Sequence, residues 1–71
     1  MMFLYKIEIE MEEATGHLII LAETDEKAFE AVDSQLERHY VKMPVLKSAA
    51  IVEKKRTSAG AGYFIPHQSL L

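Results

Sequence analysis

Seventy-one residues without a cysteine make a single domain that neither disulfides nor a thiolate metal site can hold together. Eleven acids against eight Lys and Arg leave a net charge of −3, which is not the balance of a general nucleic-acid binder. A chain this short buries only roughly 60% of its unfolded surface, so a tight core or self-association must supply its stability.

The start, Met1-Met2-Phe3-Leu4-Tyr5, is apolar but meets Lys6 and Glu8 almost at once, unlike a secretory signal. Phe3, Tyr5, Ile7, Ile9 and Met11 then alternate with Lys6, Glu8 and Glu10, the period of a half-buried strand. Glu12 to Gly16 is a polar turn in which Gly16 is expected to supply the positive φ of the reversal. His17–Ala22 reads as the second strand. Leu18 and Ile20 point to one side and Ile19 and Leu21 to the other, so both faces are apolar. Such a strand is either covered on both sides or meets another subunit with its second face.

The spacing predicts a helix over Thr24–Tyr40. Thr24 suits the N-cap, Asp25 and Glu26 complement the positive end of the dipole, and Arg38 and His39 suit the far end. Ala28, Phe29, Val32, Leu36 and Tyr40 form the apolar stripe, and Pro44 requires the helix to stop by about Val41. Leu46–Lys54 reads as a third strand around Ile51 and Val52. A basic, then small-residue loop follows from Lys54 to Gly62, and Tyr63-Phe64-Ile65 reads as a short fourth strand ended by Pro66. The domain is expected over residues 1–66, with 67–71 a C-terminal tail. No window approaches the ~18 consecutive apolar residues of a membrane span, and the chain reads as cytoplasmic.

Charge is unevenly distributed. Residues 1–40 carry Lys6, Lys27 and Arg38 against ten acids, a net −7, whereas residues 41–71 carry five Lys and Arg against Glu53 alone, a net +4. Glu26, Glu30, Asp33 and Glu37 recur at helical spacing and line one outer helix face, where like charges repel by a few tenths of a kcal/mol per pair. Lys54, Lys55 and Arg56, followed by glycines and Tyr63-Phe64, suggest cations for phosphates and rings for bases. Nucleic acid is nonetheless an unfavoured partner, since the domain as a whole is acidic. Gly60-Ala61-Gly62 leads into strand-like residues and not into a helix N-terminus, so it is no phosphate cradle.

His17, His39 and His67 do not stand at metal-ligand spacing, and no Ser–His–Asp arrangement is implied. No catalytic residue, cofactor or metal is assigned, and enzyme activity is not expected.

Phe3-Leu4-Tyr5-Lys6-Ile7-Glu8, the segment Ala22-Glu23-Thr24-Asp25-Glu26-Lys27-Ala28-Phe29, the run Ala50-Ile51-Val52-Glu53-Lys54-Lys55 and Gly60-Ala61-Gly62-Tyr63 together resemble a family of short uncharacterised proteins from bacilli, a domain of unknown function. That resemblance implies a small bacterial cytosolic protein and brings no activity, cofactor or site residue.

The expected fold is α+β: ββαββ, one helix on one face of a small four-stranded sheet. It is either similar to the β-grasp arrangement, with first and last strands parallel, or an antiparallel sheet completed in a dimer. The expected role is a non-enzymatic protein-interaction module that self-associates as a homodimer. The surfaces it could use are Ile19 and Leu21, the acidic stripe, and the basic run 54–56. The alternative is a nucleic-acid-binding regulator using that basic run.

Overall fold

A computed structural model of the chain describes residues 1–40, 42 and 45–65. In chain order they form β1 (Phe3–Met11), β2 (Thr15–Ala22), α1 (Asp25–His39) and β3 (Leu46–Arg56). The fold is α+β, with one helix on a three-stranded antiparallel sheet of order β2-β1-β3. The expected fourth strand is absent among the described residues, so the order is ββαβ and not ββαββ. The pairing of β1 with β3 is antiparallel, which removes the parallel central pair of a β-grasp sheet. Pro44, Pro66 and the tail 67–71 lie outside the described residues.

Alternation in β1 makes the central strand. Tyr5, Ile7 and Ile9 are fully buried on the helix side, and Met11 closes the row. From β2 this face receives Ile20 and Ala22, and from α1 it receives Ala28, Val32 and Leu36, four residues apart on one helical ridge. Phe29 is a correction. It stands one residue off that ridge, shares a row with Asp33 and Glu37, and is 42% exposed.

The helix ends as its sequence dictates. The Thr24 hydroxyl accepts from the Lys27 amide at 3.1 Å, Asp25 and Glu26 fill the first turn, and Tyr40 leaves the helix in an extended conformation. The β1–β2 reversal uses Glu12, Glu13 and Ala14, with the Met11 amide donating to the Ala14 carbonyl at 2.8 Å. Gly16 does not make this turn. It lies inside β2 opposite Ile9, and Gly60 holds the only positive φ among the described residues.

Pairing of β3 with β1 is interrupted twice, between Lys6 and Ile7 and between Glu10 and Met11. At the first interruption Ile7 faces Ile51 while Lys6 faces Glu53, so Val52 is the extra residue of a bulge. The bulge absorbs one residue without inverting the strand beyond it. Lys54 therefore returns to the helix side, opposite Tyr5, and Lys55 to the outer side, opposite Leu4. The strand continues through Arg56, which corrects the reading of 54–56 as a loop.

Beyond β3 the chain turns back over the sheet. Ser58–Ala61 closes a turn (Ala61 amide to Ser58 carbonyl, 2.9 Å) in which Gly60 takes φ +85°, a value that favours glycine. Lys55 Nζ then donates to the Gly62 carbonyl at 2.8 Å, and the Tyr63 hydroxyl donates to the Leu4 carbonyl at 2.7 Å. Residues 57–63 thus form a strap over the outer face. The β3 edge that this segment leaves is bulged and cationic, and the strap adds no strand there but spends its polar groups on Lys55 and Leu4. Phe64, expected in a fourth strand, is 86% exposed.

Candidate functional site

The sheet has a helix on one face only, so the outer face is where unassigned side chains collect. Register places Leu21 beside Leu4 and Lys55 in one row, Ile19 beside Lys6 and Glu53 in the next, and His17 beside Glu8 and Ala50 in the third. The rows are divided by their chemistry. On the β1 and β3 side, the Tyr63 hydroxyl bonds the Leu4 carbonyl, the Lys6 side chain is only 14% exposed, and Lys6 Nζ lies 3.6 Å from Glu53. On the β2 side nothing among the described residues lies over Ile19 and Leu21, which are 42% and 54% exposed. Both are placed as the alternation requires. Their second face is uncovered rather than packed.

The two edges of the sheet also differ. β2 pairs with β1 in unbroken register and has no Lys, Arg, Asp, Glu or proline from Thr15 to Ala22; its His17 lies 3.9 Å from Glu8. β3 is bulged twice and carries Lys47, Lys54, Lys55 and Arg56 against Glu53. Bulges and lysines are the devices by which sheets refuse a further strand, and only β3 has them.

Glu26, Glu30, Asp33 and Glu37 are all exposed on the helix, away from its buried ridge. The basic run is not gathered into one patch. Lys54 lies on the helix side, where Nζ is 2.9 Å from Asp25 Oδ1 and 4.5 Å from the centre of the Phe3 ring. Lys55 lies on the outer side, with Nζ 4.7 Å from the Tyr63 ring centre. Arg56 returns to the helix side, opposite Phe3. Strand alternation therefore splits three consecutive cations between two faces.

A polar cluster that the sequence did not announce closes the Lys54 side. The Tyr5 hydroxyl, at the end of a fully buried ring, donates to Asp25 Oδ1 at 2.8 Å, and the same oxygen accepts from Lys54. The hydrogen bond from Lys54, then that from Tyr5, holds the Asp25 carboxyl below the usual carboxylate range. Burial, then the bond to Asp25, pushes the Tyr5 phenol up. The bond to Asp25 likewise raises the Lys54 ammonium. The one available signal was Tyr5 itself, since a tyrosine at a core position needs a partner for its hydroxyl. For Tyr63, burial and then the nearby negative charge of Glu53 raise the phenol.

Two open grooves flank the helix C-terminus. One, about 420 Å³, lies between Ile9, Leu18, Leu36 and His39, where Gly16 brings no side chain to the helix side. The other, about 380 Å³, runs from Met11 past Glu12 and Tyr40 to Val45. Neither pairs a nucleophile with a base. Among the described residues no three His, Asp or Glu side chains gather as metal ligands, and no helix is long and apolar enough to cross a membrane.

No curated protein and no solved structure matches the chain. A family model does, over residues 2–65, which include every element of the fold and the strap. The chain belongs to the family described as "Protein of unknown function (DUF3906)".

Proposed function

We propose that this protein is a non-enzymatic interaction module of the cytoplasm that self-associates through the β2 side of its sheet. One observation carries the reading: Ile19 and Leu21 are exposed side by side on a neutral, unbulged edge strand, next to a face that the strap covers elsewhere. Apolar surface on an unguarded edge is costly to leave in water and is the usual mark of a contact surface. The small core, without disulfides, makes added burial on association valuable to stability. The absence of cysteine suits a reducing compartment.

Sedimentation velocity over a range of concentrations tests the reading. A dimer at high micromolar concentration that Leu21→Lys dissociates supports it, and a strict monomer throughout refutes it. The nucleic-acid alternative has less support, because Lys54 and Lys55 lie on opposite faces and each is engaged within the chain.

A further inference from the structure

We infer that the partner is a second copy of this chain and that the contact is edge to edge: β2 of one protomer pairs antiparallel with β2 of its partner across a two-fold axis. The product is a six-stranded sheet in the order β3-β1-β2-β2-β1-β3, with both helices on one face. This inference rests on the self-association proposed above and specifies its geometry.

Charge decides between the ways two copies could meet. Joining two β3 edges would set Lys47, Lys54, Lys55 and Arg56 against the same residues of the partner, with only Glu53 to offset them. Joining β2 to a partner's β3 is heterologous: each copy keeps one open edge, and the contact propagates into a filament instead of closing. Packing the two outer faces together would carry the Lys6–Glu53 pair, Glu8 and Glu10 out of water and bring carboxylates of one protomer onto those of the other. Joining β2 to β2 avoids all three costs. Thr15–Ala22 carries no Lys, Arg, Asp or Glu, its one titratable side chain, His17, lies 3.9 Å from Glu8 of its own chain, and the charged rows on β1 stay hydrated.

Geometry supports the same choice. The eight β1–β2 pairs run without a register shift, so the outer edge of β2 presents regularly spaced backbone donors and acceptors. Antiparallel pairing about a two-fold keeps the outer faces on the same side. The two copies of Ile19 and Leu21 then form one apolar strip across the seam, partly sheltering each other. The strap ends on Leu4 of β1 and Lys55 of β3, not on β2, so pairing at the seam does not require it to move.

Amide hydrogen exchange on the full chain, read residue by residue at high and at low protein concentration, tests the mode alongside sedimentation. In the edge-to-edge dimer, alternate β2 amides, those not bonded to β1, exchange at least ~10-fold more slowly at high concentration, while the β3 edge amides do not change. A dimer whose outward β2 amides exchange at the same rate at both concentrations overturns edge pairing and leaves self-association standing. A monomer at every concentration overturns both. Ile19→Lys separates folding from association: a folded monomeric variant whose β2 amides lose the slowing agrees with the inference, and a dimeric variant that keeps it contradicts the assigned seam.

Discussion

The buried Tyr5 ring ends in a hydroxyl that donates to Asp25 at 2.8 Å, so the central strand is tied to the first residue of the helix by one hydrogen bond. Lys54 approaches the same carboxylate oxygen at 2.9 Å from β3. One side-chain oxygen thus joins β1, α1 and β3. The Asp25 carboxyl is held below its ordinary range, so its contribution is present above the unfolded pKa of about 3.9 and is lost as pH falls through the folded value. Tyr5 and Lys54 are both raised, so their contribution is complete below about pH 10 and is lost as pH rises through their folded values. Urea midpoints should be flat near neutrality and fall at both extremes. With Asp25→Asn the acid-side fall should shrink, and an unchanged acid limb would show that Asp25 is not its source.

Val52 provides a sharper test of the sheet. Removing one residue from a strand ordinarily inverts every side chain beyond the deletion. Here it should remove the bulge and leave Ile7 facing Ile51, Lys6 facing Glu53 and Tyr5 facing Lys54. The deletion variant is expected to stay folded within about 1 kcal/mol of the parent, because an exposed extra residue contributes little. It should also aggregate more readily, since a bulge guards that edge. A chain unfolded by the deletion would contradict the assigned register.

The strap rests on the hydroxyl of Tyr63. Tyr63→Phe removes the bond to the Leu4 carbonyl and keeps the ring against Lys55. The expected loss is about 1 kcal/mol in a denaturant melt, with faster proteolytic cutting between residues 57 and 63. Unchanged cutting would mean that the hydroxyl does not hold the strap.

Gly16 sits inside β2 without a positive φ, and a Cβ added there meets nothing within 4 Å. Gly16→Ala should therefore stabilise the fold by about 0.5–1 kcal/mol, through lower entropy in the unfolded chain. A destabilised variant would show that the groove beside Leu36 and His39 needs its present shape.

The parts of the fold legible in the sequence are those specified by local pattern. Tyr5–Met11 alternates strictly, and Thr24–Tyr40 contains its own cap, dipole charges and buried ridge, so β1, the cap positions and the helix core apart from Phe29 were open to reading. The end of β3 was not. Its alternation breaks at Val52, and Lys54-Lys55-Arg56 looks like a solvated loop until Phe3, Tyr5 and Asp25, all distant in sequence, supply rings and a carboxylate for Lys54. Tyr63-Phe64-Ile65 has strand composition, yet the turn at Gly60 directs it over the outer face, where only tertiary contacts decide its conformation. Of the surface residues singled out, Ile19 and Leu21 were legible because β2 alternates on both faces. Nothing local revealed that strand geometry separates Lys54 from Lys55.

Sedimentation equilibrium of the wild-type chain beside Leu21→Lys tests the central claim most directly. The account predicts a reversible monomer–dimer equilibrium for the wild type and a folded monomer for the variant. A wild-type chain that stays monomeric at high micromolar concentration, or a variant that dimerises as the wild type does, would contradict it.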